Sequence, residues 1–107
     1  MTTQRQKDWH DLIALSALEP GDATPVSFRG RELAVYDSRD GIFVSYARCT
    51  HGAANLCDGY FDGRNIECPL HQGLFQVRTG KALAAPAGVN LRMVEARVVG
   101  GMVQILF

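Results

Sequence analysis

The sequence predicts an all-β fold. Short runs of apolar, β-branched and aromatic residues come in pairs separated by turn residues, and no stretch shows the periodicity of a long helix. Between the paired runs lies a segment rich in glycine, aspartate, proline, cysteine and histidine. At 107 residues the chain fits one domain. We therefore expect a single domain over residues 1–107, in which a rigid sheet scaffold carries a functional insert at about residues 48–89.

Each scaffold element follows from a local pattern. Residues 9–15 (WHDLIAL) predict a short strand, and residues 16–19 match a capping box over one helical turn that a Pro-Gly pair would end. Two hairpins are expected after this turn. The first joins residues 31–37 to 41–48 around a Ser-Arg-Asp turn, and the second joins residues 91–99 to 102–107 around a Gly-Gly turn.

Composition narrows the possible functions. Eleven basic and eleven acidic side chains give a formal net charge of zero, which argues against a nucleic-acid binder. No apolar run is long enough to cross a bilayer, and the polar segment from Met1 to His10 is not a secretory signal, so we expect a cytoplasmic protein without a membrane partner. Three cysteines make an odd count, which disfavours a purely structural disulfide framework and points to metal binding.

Two short motifs carry the chemistry. The first is Cys49-Thr50-His51-Gly52 and the second is Cys68-Pro69-Leu70-His71-Gln72-Gly73, with sixteen residues between His51 and Cys68. Each motif offers one thiolate and one imidazole on a glycine-containing loop. Together they provide the two sulfur and two nitrogen ligands that a Rieske-type [2Fe–2S] cluster requires. A structural zinc site is the alternative, but zinc ligands usually pair cysteine with cysteine and histidine with histidine at wider spacings.

The chain resembles the Rieske ferredoxins of bacterial aromatic-ring-hydroxylating dioxygenases, and the naphthalene-type systems look most similar. The resemblance is densest from Cys49 to Pro86. It implies that Cys49 and Cys68 bind one iron, and that His51 and His71 bind the other. It also implies three stacked antiparallel sheets with the cluster at one tip, covered by a third loop that contains Pro86.

Departures from respiratory-complex Rieske proteins indicate a low reduction potential. Those proteins have a disulfide across the site, but the matching positions here are Ala54 and Leu70. They also have serine and tyrosine hydroxyls near the cluster, where this chain has Gly73 and Phe75. Hydrogen bonds to cluster sulfurs stabilise the reduced state, so their loss lowers the potential. We expect a midpoint near roughly −150 mV, at the bottom of the Rieske range.

These features predict an electron carrier and not an enzyme. After the four ligands are assigned, His10 is the one remaining histidine, so the chain cannot build the two-histidine, one-carboxylate iron site of a terminal oxygenase. Cys57 matches no ligand position, and we expect it to be a packed or free thiol. The resemblance implies a flavin-containing ferredoxin reductase and a terminal ring-hydroxylating oxygenase as partners. Two alternatives stay open: a small Rieske-like subunit of an assimilatory nitrite reductase, and a zinc-stabilised interaction module.

Overall fold

The computed structural model describes residues 6–50, 52–70, 72–85 and 87–107. Within these ranges the chain forms eleven strands and two short 3₁₀ turns, and no helix is long and apolar enough to cross a membrane. The turns are Leu15–Ala17 and Leu56–Asp58. The strands are β1 Trp9–Ala14, β2 Ala23–Phe28, β3 Arg31–Ser38, β4 Gly41–Tyr46, β5 Tyr60–Phe61, β6 Asn65–Glu67, β7 Leu74–Gln76, β8 Ala82–Ala84, β9 Met93–Val94, β10 Ala96–Val99 and β11 Met102–Leu106.

The strands pair into three antiparallel sheets, which confirms the predicted fold class. Their orders are β1-β11-β10, β2-β3-β4-β9 and β5-β6-β7-β8, here called the basal, central and cluster sheets. Side chains of β3 alternate between the two faces of the central sheet, as strand geometry requires. Ala34 and Tyr36 belong to one buried core, whereas Leu33 and Val35 belong to another. The central sheet therefore lies between the other two.

The two cores separate scaffold from site. The first core joins the central sheet to the cluster sheet and contains the predicted ligands Cys49 and Cys68. The second joins the central and basal sheets through aliphatic residues such as Val44, Val103 and Ile105. Burial of apolar side chains on both faces of the central sheet holds the layers together. The candidate site thus lies on one face of the central sheet, and the opposite face of that sheet is packed against the basal sheet.

Several predicted boundaries need correction. The turn after β1 is a 3₁₀ turn that begins at Leu15, and no side chain caps it, so the predicted capping box over residues 16–19 is wrong. Residues 91–99 form two strands and not one, because β9 pairs with β4 while β10 pairs with β11. The insert is more regular than expected, since it contains the whole cluster sheet. The Gly100-Gly101 turn is as predicted, with φ values of 56° and 76°.

Candidate metal centre

The first cysteine lies in a tight loop directly after β4. The N–H of Cys49 donates to the carbonyl of Ala54 at 2.9 Å, and Arg48 pairs with Asn55 in an isolated β-bridge. These contacts bring Ala54 and Asn55 back beside Cys49 and Arg48, and so close the loop that begins at Cys49. Cys49 is 2% exposed. A short, closed loop therefore places a buried thiol at the edge of the central sheet.

The second cysteine occupies the turn between β6 and β7. The N–H of Cys68 donates to the carbonyl of Gly73 at 2.7 Å, which closes the turn. Gln72 has a φ of 62°, a conformation that non-glycine residues rarely adopt, and this allows the chain to reverse within six residues. The N–H of Leu70 points back and donates to Cys68 Sγ at 3.4 Å. The turn thus buries a sulfur and directs a backbone donor at it.

The two cysteines come from distant parts of the chain and meet in space. Their thiols are hydrogen-bonded to each other. Burial raises the pKa of Cys68 to about 11, the Cys49 thiol adds to the rise, and the Leu70 amide opposes it. The Cys68 thiol therefore keeps its proton when no cation is present, and a metal would replace that proton. Two adjacent, buried sulfurs fit the donor set of one iron of a [2Fe–2S] cluster.

The other half of the predicted ligand set, His51 and His71, lies outside the described residues, as does Pro86. Within the described ranges, accordingly, no group of three or more His, Cys, Asp or Glu residues could hold a metal ion. The assignment of these two histidines to the second iron stays a prediction, and so does the covering role of Pro86.

Glycines let the loops around the cysteines approach closely. A β-carbon on Gly52 would lie 3.1 Å from Leu70 Cδ1, so the first loop packs against the second. A β-carbon on Gly73 would lie 3.1 Å from the Ala87 β-carbon and 3.2 Å from its nitrogen, so the second loop packs against the segment that follows β8. Contacts this short leave little room for a side chain. The site is therefore built from three mutually packed segments.

A family model for the Rieske [2Fe–2S] domain matches residues 8–95. The chain belongs to this family. The predicted Rieske-type cofactor is thereby confirmed, and a structural zinc site is not favoured.

Relatives of this Rieske domain resemble it over nearly their whole length. It is 44% identical over 97 residues to the ferredoxin component of the naphthalene 1,2-dioxygenase system of Pseudomonas aeruginosa, covering 91% of this chain and 93% of the relative. Among solved structures, the Sphingomonas yanoikuyae B1 ferredoxin superposes with a TM-score of 0.86 at 35% identity, over 94% of this chain and 99% of that one. A chain in the complex of reduced oxygenase and oxidised ferredoxin of carbazole 1,9a-dioxygenase gives 0.83 at 38% identity, over 92% of both chains.

A threonine in the first motif, which sequence reasoning did not single out, links two loops of the Rieske domain. The hydroxyl of Thr50 donates to the carbonyl of Val89 at 2.6 Å, across 39 positions of the chain. Thr50 is half-buried, and Val89 lies in the segment that follows β8. The segment itself is held at its far end, where the N–H of Leu91 donates to the carbonyl of Gly80 at 2.7 Å. Thr50 therefore connects the Cys49 loop to the segment that packs on Gly73.

Replacing Thr50 with valine should weaken this connection. Valine has nearly the same shape as threonine but no hydroxyl, so the Val89 carbonyl loses its hydrogen bond from Thr50. This loss costs about 1 kcal/mol of folding free energy. We expect the visible absorption of the cluster to bleach faster on heating in Thr50→Val than in the wild type. Thr50→Ser keeps the hydroxyl and should restore most of the wild-type rate. Equal bleaching of Thr50→Val and wild type would contradict this role.

A second feature that the sequence did not predict is a hydrogen-bonded pair of residues in the sheet that carries the site. The hydroxyls of Tyr36 and Ser45 are 2.9 Å apart, and both residues have no exposed surface. Burial raises the pKa of Tyr36 well above its usual range, so the phenol stays neutral. Ser45 also donates to the carbonyl of Tyr46 at 2.9 Å. Tyr36 can therefore donate to Ser45, and the pair satisfies two polar groups inside the core that holds the cysteines.

Cys57, which matches no ligand position in the sequence, lies outside the two motifs. It sits in the 3₁₀ turn Leu56–Asp58, half-buried, and its N–H donates to Asn55 Oδ1 at 2.8 Å. Burial, together with the negative charges of Asp58 and Asp22, raises the pKa of Cys57 to about 11. Its thiol is therefore protonated at neutral pH, which agrees with the expectation of a packed thiol.

Proposed function

We propose that this chain is a Rieske ferredoxin that carries single electrons from a flavin-containing ferredoxin reductase to the terminal oxygenase of a multicomponent aromatic-ring dioxygenase. The pairing of two buried thiols at the end of the cluster sheet is the observation that carries this function. It occurs in a chain whose relatives of nearly equal length are ferredoxin components of dioxygenase systems. The chain is then the electron-transfer component of the system, and catalysis belongs to the oxygenase.

In this proposal Cys49 and Cys68 hold one iron, and His51 and His71 hold the other. The bound cluster would supply reversible one-electron chemistry. The chain's own residues bury the sulfurs and direct the Leu70 N–H at Cys68 Sγ, a contact that favours the more negative state. The whole chain, residues 1–107, acts as one unit with the cluster-binding insert at about residues 48–89. We place this carrier in the cytoplasm, where flavoprotein reductases and ring-hydroxylating oxygenases can reach it.

The oxygenase is the better supported of the two partners, because a relative 38% identical to this chain is found in a complex of oxygenase and ferredoxin. The reductase is inferred from the need for an electron source. The nitrite reductase subunit is not favoured, since the relatives that are 44–46% identical to this chain are ferredoxin components of dioxygenase systems. A free monomer that copurifies with no large haem protein would agree with the ferredoxin.

Electron paramagnetic resonance of the anaerobically purified, dithionite-reduced protein tests the ligand set. Nitrogen ligands on one iron give a rhombic signal with an average g below that of all-cysteine ferredoxins, and we expect such a signal. A colourless protein without a signal, shown to contain zinc and to have lost no iron during purification, would overturn the redox function. A signal typical of all-cysteine ligation would overturn the assignment of His51 and His71 but leave the carrier standing.

The reduction potential gives a separate prediction. Phe75 is fully buried in the core that contains Cys68, and Gly73 has no side chain, so neither position offers a hydroxyl to the cluster. Fewer donors stabilise the reduced state less, and we expect a midpoint near roughly −150 mV. A redox titration monitored by the visible spectrum measures it. A strongly positive midpoint would contradict the argument and would suit quinol oxidation better than this carrier.

A further inference from the structure

Exposed arginines of this chain lie over aromatic rings. The guanidinium carbon of Arg92 is 4.2 Å from the centroid of Tyr46, that of Arg31 is 5.5 Å from Phe107, and that of Arg29 is 5.1 Å from Phe28. All three arginines are exposed, whereas the three rings are half-buried. Stacking on a ring restricts a guanidinium without removing its hydrogen-bond donors. The cations are therefore held in place and open to solvent.

These pairs form one continuous surface, which we call the arginine–aromatic band. The rings of Phe28 and Phe107 are 5.3 Å apart, and Arg31, above Phe107, places its Nη1 3.4 Å from the hydroxyl of Tyr46. Tyr46 in turn lies under Arg92, whose carbonyl accepts the Tyr46 N–H at 2.9 Å. The band thus runs from the β2–β3 turn to the segment before β9. It closes one side of the core between the basal and central sheets.

The charges of the band are not neutralised by ion pairs. Among the residues that the structure describes, the single ion pair joins Arg64 to Asp40 at 3.7 Å, away from the band. Glu32 follows Arg31 in the sequence, but its carboxylate accepts from Ser27 Oγ at 2.7 Å. Asp8 and Glu95 line grooves beside Arg31 without coming within ion-pair distance of it. The three guanidinium groups are therefore outside ion pairs with described residues, although carboxylates lie near them on the same face.

At one end, the residues of the band lie close in sequence to residues of the cluster site. Tyr46 ends β4 and lies three residues before Cys49. Arg92 follows Leu91, a residue of the core that contains both cysteines. A protein that contacted this end would therefore touch segments that lead into the Cys49 loop and into the core that contains both cysteines.

We infer that the arginine–aromatic band is a docking surface for a carboxylate-rich rim of the terminal oxygenase, an inference that rests on the proposed function. Guanidinium groups bind carboxylates through paired hydrogen bonds, and a fixed guanidinium loses less entropy on binding. A protein partner fits better than a nucleic acid or an anionic membrane, because those polyanions attract proteins with a basic excess and this chain has none.

The variants Arg31→Gln, Arg92→Gln and their combination test the surface. Glutamine keeps much of the side-chain stem and removes the charge. Arg64→Gln is the matched control, because Arg64 is also exposed but lies beside Asp40. Each reduced holoprotein is mixed with purified oxidised naphthalene dioxygenase oxygenase component in a stopped-flow instrument, at several protein concentrations and ionic strengths. Unchanged midpoint potentials and resonance spectra show that the cluster is intact.

For the double variant we expect a second-order rate of electron transfer about tenfold lower at low salt, and a weaker dependence on ionic strength. The limiting rate at saturation should equal that of the wild type, because the cluster and its surroundings are unchanged. Arg64→Gln should behave as the wild type. Equal second-order rates and equal salt dependence for the double variant and the wild type would overturn the docking surface while leaving the proposed function in place.

A second measurement separates the two proposals. If the wild-type protein does not reduce the oxygenase at all, that result counts against the proposed function. The band is then tested with a fluorescent polyglutamate peptide and with phosphatidylglycerol vesicles. Peptide binding that is lost in the double variant and retained in Arg64→Gln would support a carboxylate-binding surface. Equal peptide binding by all variants, or binding to the vesicles in preference to the peptide, would overturn it.

Discussion

Serine in place of Cys49 or Cys68 is expected to leave the protein without its [2Fe–2S] cluster. The two thiols are buried and hydrogen-bonded to each other, so each substitution removes half of the sulfur donors from one small volume. A thiolate is a soft ligand with a pKa that a metal can readily lower, whereas a serine hydroxyl keeps its proton and binds iron weakly. Because metal binding contributes to folding, both variants should also unfold more easily than the wild-type holoprotein.

Cys57→Ser is the matched control, since the same chemical change is made at the third cysteine. Cys57 lies in a separate 3₁₀ turn, and its raised pKa keeps the thiol protonated. We expect this variant to retain the full iron and inorganic sulfide content of the wild type, together with its visible and resonance spectra. Iron analysis of the three variants, purified anaerobically in parallel, gives the comparison. Full iron in Cys49→Ser or Cys68→Ser would contradict their assignment as ligands, and cluster loss in Cys57→Ser alone would transfer the role to that residue.

The ligand motifs could be predicted from the sequence because each is recognised from a few consecutive residues. A cysteine and a histidine two or three positions apart on a glycine-containing loop leave few chemical interpretations, and both cysteines are buried together as the motifs require. Thr50 stands inside the first motif, but its partner is Val89, and no local pattern predicts a hydrogen bond between positions 39 apart. Tyr36 and Ser45 have the sequence context of ordinary strand residues, and only the pairing of their strands brings them together.

The same distinction explains the fold. The hairpin β3–β4 was predicted from long apolar runs around a recognisable turn, and the two strands pair antiparallel as expected. β2 was missed because Pro25 interrupts its pattern, and proline is tolerated there since β2 is an edge strand of the central sheet. The strands of the cluster sheet have two or three residues each, too few to display a period of two. Their pairing depends on tertiary contacts, not on local pattern.

Alanine in place of Gly59 is expected to destabilise the cluster sheet. Gly59 ends the second 3₁₀ turn with a φ of −88°, a conformation open to any residue, so its importance is steric. A β-carbon there would overlap the carbonyl oxygen of Glu67 and lie 3.0 Å from its carbon and 3.2 Å from the Leu56 oxygen. These are backbone atoms, which cannot turn aside as a side chain can. Either the turn or β6 has to move.

The displacement would reach the metal centre, because Glu67 directly precedes Cys68 and pairs with Tyr60 across the β5–β6 ladder. Overpacking in a well-packed core costs about 3 kcal/mol or somewhat more when backbone must shift. Domains of this size have a total stability of about 5–15 kcal/mol, so the loss is a large fraction. We expect a lower urea midpoint for Gly59→Ala, and faster loss of the visible absorption of the cluster than in the wild type.

Gly88→Ala is the control for the glycine-to-alanine change itself. A β-carbon on Gly88 would have no atom of the described residues within 4 Å, and this glycine does not have a positive φ. The variant should therefore match the wild type or be slightly more stable, because alanine restricts the unfolded chain more than glycine does. If Gly59→Ala and Gly88→Ala unfold at the same urea concentration, the close approach of Gly59 to Glu67 is not a constraint on the native protein. A large loss confined to Gly59→Ala, together with early cluster release, would show that the backbone packing before Cys68 helps to retain the cluster.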